Sequence, residues 1–521
     1  MINTKQVETA LQKNRDELFR FGLSLLFIIG IMLFTMVRTN GNTDGVLLVV
    51  AAMIGGYMAM NIGANDVANN VGPAVGSHAI TLTGAILIAA VFEAGGALIA
   101  GGDVVGTIKK GIIDPDLVAD QATFIWLMIA ALLAAAVWLN FATAVGAPVS
   151  TTHSIVGGVM GAGIAASGWS IVNWTQVGMI AASWVISPVL GGLIAALFLY
   201  IIKRTITYKS DVLAAANRMV PVLVAGMAWA FGSYLMLKGV KKLIKVDFPT
   251  ALGIGFGAAI IVYLIMRPYI ARLTGKLANQ KASVNDLFTV PLIFAAALLS
   301  FAHGANDVAN AVGPLAGINE AIVGGGVTAK ASIPLWVMAV GAVGIALGLA
   351  LYGPKLIRTV GSEITELDKT RAFCIAMAAA ITVIIASQLG LPVSSTHIAV
   401  GGVFGVGFLR EYIKSSYAKM LQEIRDHHAD QDPVAVDAYL AQFEAADVET
   451  KGEMLRAMKQ QRPADKLLAK RERRGLGQVH RIELVKRSLV FRIAAAWVIT
   501  VPLAGLLAGM FFFMIRGIML P

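Results

Sequence analysis

Long apolar runs recur along most of this chain, and each is close to the length that a helix needs to cross a bilayer. That length is about 20 residues, and the sequence holds eleven such runs. Because a backbone in lipid must satisfy its own hydrogen bonds, runs of this kind form helices. They predict an all-α polytopic membrane protein with about 11–12 spans. The runs are Phe21–Val37, Val46–Ile62, Ile80–Ala100, Phe124–Val145, Val177–Ile202, Met219–Leu237, Thr250–Met266, Leu287–Ala302, Ile333–Tyr352, Ala372–Leu389 and Leu489–Ile515.

The charge content supports the same class. Only 14% of the residues are charged, whereas soluble domains carry about 25%. The polar N-terminal segment lacks the pattern of a cleaved signal, so Phe21–Val37 is predicted to be a retained span. Cys374 is the single cysteine, which excludes an intramolecular disulfide and a thiolate metal cluster. The net charge of +11 fits basic cytoplasmic loops, and nothing in the sequence indicates nucleic-acid binding.

A polar motif interrupts the apolar sequence twice. Gly63–Pro73 is Gly-Ala-Asn-Asp-Val-Ala-Asn-Asn-Val-Gly-Pro, and Gly304–Pro314 repeats ten of these eleven residues. The one difference is Asn70 against Ala311. An ionisable residue inside a membrane segment is costly and is a candidate functional group. A chain that keeps an aspartate in both copies is therefore predicted to use both.

A second motif, rich in hydroxyl groups, is also duplicated. Pro148–His153 is Pro-Val-Ser-Thr-Thr-His, Pro392–His397 is Pro-Val-Ser-Ser-Thr-His, and a glycine-rich run follows each. The two motifs start 85 residues apart in the first copy, from 63 to 148, and 88 apart in the second, from 304 to 392. The shared order and spacing indicate one unit used twice. Internal repeats in membrane proteins are typical of secondary transporters, whose site lies between the repeats.

The acid-amide motif carries ligands for a hard cation. Spacings of three and four residues place its two asparagines and its aspartate on one helix face. Their carboxylate and amide oxygens suit Na⁺, while amide N–H groups can donate to an anion. The flanking glycines would let the helix open and free backbone carbonyls. The candidates are Asn65, Asp66 and Asn69 in the first copy and Asn306, Asp307 and Asn310 in the second.

The hydroxyl motif carries donors for an anion. Hydroxyl groups at a helix start add O–H donors to backbone N–H groups and the positive end of the helix dipole. Proline has no backbone donor and disfavours helix in the preceding residue. Pro148 and Pro392 therefore predict broken or re-entrant helices that face a cavity. The candidates are Ser150, Thr151, Thr152, Ser394, Ser395 and Thr396.

Together the two motifs predict coupled transport. Two buried aspartates would repel a multiply charged anion unless cations lie between them. Symport satisfies both charges, because a cation that neutralises Asp66 and Asp307 also helps to bind the anion. Packing between helices is the alternative use of membrane Asn and Ser/Thr residues, and it explains a duplicated aspartate less well.

Two further positions break the match between the copies. Glu93 lies within a predicted span, and the matching stretch Ala342–Gly344 has no carboxylate. Glu93 is therefore a candidate coupling or proton site, with a structural bond to a neighbouring helix as the alternative. His303 stands where the first copy has Ile62, which makes it a weaker candidate.

At these residues the sequence resembles the PiT family of inorganic phosphate transporters. The duplicated Gly-Ala-Asn-Asp-Val-Ala-Asn and Pro-Val-Ser-(Ser/Thr)-Thr-His segments are that family's signature, and the resemblance spans roughly Val46–Phe408. It implies that the anion is inorganic phosphate and that the coupling ion is Na⁺ or H⁺, with Na⁺ favoured by the form of the motif. It implies no other cofactor. It also implies two repeats of inverted topology.

The resemblance further implies one shared site for phosphate and cation. The asparagines next to the aspartates would line it with them, the later asparagines would support it, and the hydroxyl residues would complete the phosphate cradle. The implied Na⁺ ligands are Asp66, Asp307, Asn65 and Asn306.

The span count by itself leaves the orientation of the repeats open. If only the hydroxyl motifs are re-entrant, six steps separate the acid-amide spans, which are then parallel. If the Pro148 segment makes a net crossing, the count is seven and the repeats are inverted. The basic loops Lys203–Arg218, Lys238–Lys245 and Arg267–Lys281 are successive, so at least one violates the positive-inside rule.

The sequence divides into six predicted segments. They are residues 1–45, a polar segment and first span; 46–202, the first repeat; 203–286, connecting spans and basic loops; 287–410, the second repeat; 411–488, a charged and partly helical cytoplasmic loop; and 489–521, the final span.

Three other functions remain compatible with the motifs. A symporter for another oxyanion such as sulfate would be separated by competition. A membrane-embedded enzyme would show turnover without net solute movement, although near-symmetric repeats disfavour it. A channel would show no concentrative uptake. The expected location is the cell membrane, a bacterial inner membrane in particular, and the sequence is compatible with a homo-oligomer.

Overall fold

The protein is helical in nearly all of the residues that the structure describes. The computed structural model describes residues 4–39, 43–144, 149–239, 246–324, 333–363, 367–427, 433–445, 454 and 487–519. Its helices are α1 (Thr4–Arg38), α2 (Thr43–Asn65), α3 (Val67–Gly76), α4 (Leu82–Ala100), α5 (Gly102–Lys110), α6 (Gln121–Ala144), α7 (Thr151–Ser167), α8 (Trp174–Ile202), α9 (Val212–Lys238), α10 (Phe248–Thr274), α11 (Lys281–Leu287), α12 (Thr289–Asp307), α13 (Ala309–Gly324), α14 (Leu335–Glu363), α15 (Lys369–Gln388), α16 (Ser395–His427), α17 (Pro433–Ala445) and α18 (Arg487–Met519).

Eleven helical stretches in the described part of the chain are long and apolar enough to cross a membrane. Each overlaps one of the eleven apolar runs of the sequence, so the predicted class of all-α polytopic membrane protein is confirmed. Of the charged segment 411–488, the end of α16, α17 and residue 454 are described, and the rest lies outside the described residues.

Both acid-amide motifs lie at breaks between consecutive helices. Asp66 separates α2 from α3, and Val308 separates α12 from α13. Each pair still forms one apolar stretch, Gly45–Gly76 in the first repeat and Thr289–Gly324 in the second. The predicted breaks therefore interrupt a continuous span and leave its overall direction unchanged.

Both hydroxyl motifs lie at the tips of helical hairpins. Helices α6 and α7 pack against each other, with Gly158 beside the backbone of Ala131. The hairpin closes at its far end, where Ile113 and Val172 form an antiparallel bridge. Helices α15 and α16 form the matching hairpin. The runs Phe124–Val145 and Ala372–Leu389 are thus hairpin arms, although their length would allow them to span.

The hairpins settle the orientation of the repeats. Because α6 and α7 begin and end at one face, they add no net crossing, and α12 is the fifth crossing after α2–α3. An odd number reverses direction, so the two repeats are inverted as predicted. The neighbours agree, because Gly56 contacts Val340 and Gly344 contacts Ala59, so α2 runs parallel to α14.

The chain path also separates the basic loops. Helices α8 and α10 end at the same face as α16, whereas α9 ends at the opposite face. Lys203–Arg218 and Arg267–Lys281 therefore lie at the face where α16 ends, whereas α9 ends with Lys238 at the opposite face. The positive-inside rule assigns the shared side to the cytoplasm.

The two halves of the chain are interlocked. Helix α8 follows the first hairpin but packs against α16 of the second, and α18 follows the second hairpin but packs against α7 of the first. Small residues allow these backbones to meet, with Gly401 and Gly405 against α8, and Gly157 and Gly161 against α18. Each hairpin is thus held by a helix from the other half.

Adding a methyl group at the α8–α16 contact should destabilise the protein. In Gly405→Ala the new methyl would overlap the backbone of Gly192, and overpacking of this kind costs about 1–3 kcal/mol. Gly178→Ala in α8 is the matched control, because nothing lies within 4 Å of its added carbon. Thermal unfolding in detergent measures both, and equal melting temperatures would contradict the packing described.

Candidate transport site

The two helix breaks and the two hairpin tips meet at one buried place. The aspartates are almost fully excluded from solvent, with Asp66 2% and Asp307 1% exposed. All twelve predicted binding residues are buried, namely Asn65, Asp66, Asn69, Ser150, Thr151, Thr152, Asn306, Asp307, Asn310, Ser394, Ser395 and Thr396.

Asp66 is held by hydroxyl groups from both repeats. Thr151 donates to Oδ2 at 2.7 Å and Thr396 donates to Oδ1 at 3.3 Å. Thr151 begins α7 of the same repeat, whereas Thr396 lies in the first turn of α16 of the other repeat. One carboxylate therefore joins both hairpin tips.

The second asparagine of each motif reaches across to the other repeat. Asn69 donates to Thr396 Oγ1 at 2.9 Å. Asn310 donates to Thr151 Oγ1 and to Thr152 Oγ1, both at 3.1 Å. These two asparagines therefore cross-link the repeats, and their role in supporting a substrate site stays a prediction.

The Asn306 carboxamide is hydrogen-bonded to residues of the second hairpin. Its amide nitrogen donates to Ser387 Oγ at 3.0 Å and to the Leu391 carbonyl at 3.1 Å. Its amide oxygen accepts from the Val393 backbone at 3.3 Å. These bonds satisfy the carboxamide and fix the loop that leads to the hydroxyl motif.

Asn65 has the matching position beside the first hairpin. Its carboxamide lies 2.8 Å from Thr143 Oγ1 at the end of α6. When the Thr143 hydroxyl donates, the Asn65 nitrogen faces Asp66 Oδ1 and the Val149 carbonyl, both at 3.3 Å. Asn65 therefore connects the aspartate to the hairpin tip.

The serines of the hydroxyl motifs cap the hairpin helices. Ser150 Oγ accepts from the His153 backbone at 3.2 Å and lies 2.7 Å from His153 Nδ1. Ser394 Oγ accepts from the His397 backbone at 3.3 Å. A cap of this kind fixes a helix start. The N-termini of α7 and α16, with their positive dipole ends, therefore both point into the site.

The asymmetric positions form a single buried network. Glu93 Oε1 accepts from Asn70 at 2.8 Å, and Glu93 Oε2 lies 2.7 Å from His303 Nδ1. His303 Nε2 in turn lies 3.0 Å from Asp307 Oδ2. Glu93 and His303 are fully buried. The chain of contacts leads from Asn70 to the second aspartate.

An alignment of the two repeats with each other would have indicated this network, because its members are positions where the repeats differ. Asn70 is the single mismatch between the two acid-amide motifs, and His303 replaces Ile62 of the first copy. The structural counterpart of Glu93 is Ile345, because Gly304 lies against Glu93 as Gly63 lies against Ile345. Three separate differences between the copies thus meet in space.

The two aspartates consequently have different surroundings. Asp307 Oδ2 has His303 and, at 3.4 Å, Ser395 Oγ. Asp307 Oδ1 is buried without a hydrogen-bond partner among the described residues. Ligand atoms of Asp66, His303 and Asp307 all lie within 4.8 Å of one another. Together they could hold a cation next to the two hairpin helix starts.

The fold and the site define a class of protein. Inverted repeats, broken helices at membrane depth and a buried polar site between the repeats are the features of a secondary transporter. The family model described as the phosphate transporter family matches residues 62–508 of the chain. The chain belongs to this family and is a multi-pass membrane transporter rather than an enzyme.

Similar proteins are found among curated sequences and solved structures. A "Putative phosphate permease" of Helicobacter pylori strain J99 is 52% identical over 520 residues, covering 98% of this chain and 97% of that protein. One of Chlamydia trachomatis is 40% identical over 388 residues, covering 70% and 90%. A solved structure described as "The sodium-dependent phosphate transporter" is 30% identical with a TM-score of 0.74, covering 91% of this chain and 100% of that one.

Removing the Thr151 hydroxyl should weaken both the fold and the site. In Thr151→Val, Asp66 loses a donor and Asn310 loses an acceptor, and each buried group left unpaired costs about 1–3 kcal/mol. Thr151→Ser is the conservative control, because Ser395 has the same place in the other motif. We expect melting temperature and phosphate uptake to fall in the valine variant and stay near wild type in the serine variant. Equal values for the two variants would contradict this role.

Proposed function

We propose that the protein moves inorganic phosphate across the membrane by symport with a cation, with Na⁺ preferred over H⁺. The observation that carries the proposal is the bonding of Asp66 to hydroxyl groups from both hairpins. Family membership supports the substrate. The similarity to a sodium-dependent phosphate transporter of known structure supports the choice of Na⁺.

The hydroxyl groups explain why cation and anion would bind together. A threonine hydroxyl has a single proton to donate, and in this structure Thr151 and Thr396 donate theirs to Asp66. A cation on the aspartate replaces those bonds and frees both protons for phosphate oxygens. The anion cradle is then complete only when the cation is present.

The positive helix ends supply the rest of the anion site. Helices α7 and α16 both start at the hairpin tips, where backbone N–H groups and the dipoles favour an anion. Two carboxylates without cations would oppose that effect. A cation at Asp66 and Asp307 removes the repulsion, and phosphate and cation then stabilise each other.

Glu93 acts on this site through His303 rather than by contact with the substrate. Its carboxylate bonds both Asn70 and His303, and the imidazole lies beside Asp307. We therefore assign Glu93 a coupling role in which it orients the histidine next to the second aspartate.

Gradient-swap uptake tests the proposal. The protein is reconstituted in liposomes, and labelled phosphate is followed under an imposed Na⁺ gradient and then under an H⁺ gradient. We expect accumulation with Na⁺ and much less with H⁺ alone. No accumulation with either gradient would refute cation coupling, and preference for sulfate in competition would refute the substrate.

Removing either carboxylate charge should abolish coupled uptake. Asp66→Asn and Asp307→Asn keep the shape of the side chain but lose the charge that holds the cation. We expect uptake at the level of empty liposomes, with the folded protein still in the membrane. Wild-type rates in both variants would overturn the site, and currents far above carrier turnover would indicate a channel.

A further inference from the structure

The second half of the site contains a nitrogen ligand that the first half lacks. Ligand atoms of Asp66, His303 and Asp307 lie within 4.8 Å of one another, and all three residues are buried. The corresponding position in the first half is Ile62, which is buried and apolar. Carboxylate and amide oxygens alone are enough for Na⁺, so an imidazole needs a separate explanation.

The histidine is oriented as metal-ligating histidines usually are. Glu93 Oε2 lies 2.7 Å from His303 Nδ1, and a carboxylate that accepts from Nδ1–H fixes the tautomer with its lone pair on Nε2. His303 Nε2 is fully buried and faces Asp307 Oδ2 at 3.0 Å. In this tautomer the neutral imidazole has no proton on Nε2 to donate to the carboxylate, and a metal ion would bind both lone pairs.

Asp307 supplies an unsatisfied atom at the same place. Its Oδ2 lies 3.0 Å from His303 Nε2, an ion pair when the imidazole carries a second proton, and its Oδ1 has no hydrogen-bond partner in the described part of the chain. When Nε2 is not protonated, the two facing lone pairs repel, and a metal ion between them takes the place of that proton.

We propose that Asp66, His303 and Asp307 form a site for a divalent transition-metal ion, with Glu93 orienting the imidazole. Imidazole suits Zn²⁺, Fe²⁺, Ni²⁺ and Cu²⁺, and two carboxylates with one histidine leave further positions open for water or an anion oxygen. Ligand atoms in such sites lie about 2.0–2.2 Å from the metal, so the three side chains would draw together on binding.

The site overlaps the one assigned to the coupling cation. The inference therefore rests on the same carboxylates as the proposed function, although not on transport itself. A divalent ion on Asp66 and Asp307 takes the oxygens that Na⁺ would use, so the two ions compete. The imidazole that Glu93 and Asn70 orient is the ligand that favours the divalent ion over Na⁺ at this shared site.

The apolar residue pair equivalent to His303 and Glu93 supplies the substitutions for a control variant. Ile62 and Ile345 occupy the positions equivalent to His303 and Glu93, and both are buried. The double variant Glu93→Ile/His303→Ile copies that pair into the second half, so an apolar contact of the same type replaces the polar one. It removes the imidazole and its carboxylate partner together but leaves Asn70 without its acceptor, so thermal unfolding is measured beside metal binding to keep the two effects separable.

Co²⁺ binding to the full-length protein in detergent is the test. Visible absorption of Co²⁺ reports nitrogen and oxygen ligation, and titration gives the affinity. The background carries His427→Ala and His428→Ala and a purification tag without histidine, because the vicinal histidines of the charged segment could bind metal themselves. Mg²⁺ is the hard-ion control, and it should not displace Co²⁺.

We expect one Co²⁺ per chain that Zn²⁺ displaces and that high Na⁺ weakens. Glu93→Gln should lower the affinity about 10–100-fold, the usual effect of losing an outer carboxylate, and Glu93→Ile/His303→Ile should abolish saturable binding. Wild-type affinity in a folded double variant overturns the proposal, as does the absence of binding to the parent. His303→Gln, which removes the imidazole but keeps a polar side chain between Glu93 and Asp307, gives the same decision if the double variant does not fold.

Measuring phosphate uptake beside Co²⁺ binding distinguishes a failure of the metal site from a failure of the proposed function. If Co²⁺ does not bind but uptake follows the Na⁺ gradient, the metal site is wrong and the symport proposal stands. If Co²⁺ binds as described and no gradient drives uptake, the metal site stands and the symport proposal is wrong.

Discussion

The structure depends on satisfying a carboxylate inside a membrane protein. An unpaired charge at that depth is prohibitively costly, and Asp66 is stabilised by hydroxyl donors from both hairpins. Since one donor belongs to each repeat, the bonds close only when the two halves are assembled. In the proposed mechanism, a cation that binds the carboxylate would release these donors beside two helix N-termini.

The interlocked packing places those donors. Each hairpin is held against a helix from the other half, and glycines bring the backbones into contact along α7–α18 and α8–α16. Larger side chains would separate the helices and displace the hairpin tips. The glycines that follow the hydroxyl motifs therefore serve the position of the site as much as the stability of the fold.

Comparison of the two sequence repeats named most of the candidate site residues but not the hydrogen bonds that join them. It identified both aspartates, the hydroxyl motifs and Glu93. It could not pair Asn310 with Thr151, or Asn69 with Thr396, because these hydrogen bonds join residues of different repeats that are far apart in sequence. His303 looked weak on its own, and Asn70 looked like a simple mismatch. Only their contacts with Glu93 and Asp307 show that the differences belong together.

The membrane class, the duplication and the chemistry of the two motifs could all be read from the amino-acid sequence, because hydropathy and residue type are local properties. The inversion of the repeats needed the packed fold, since it depends on whether α6 and α7 return to the same face. The fold also made the aspartates differ, one held by hydroxyl groups and one backed by histidine. Those partners come from distant parts of the chain, and only packing brings them together.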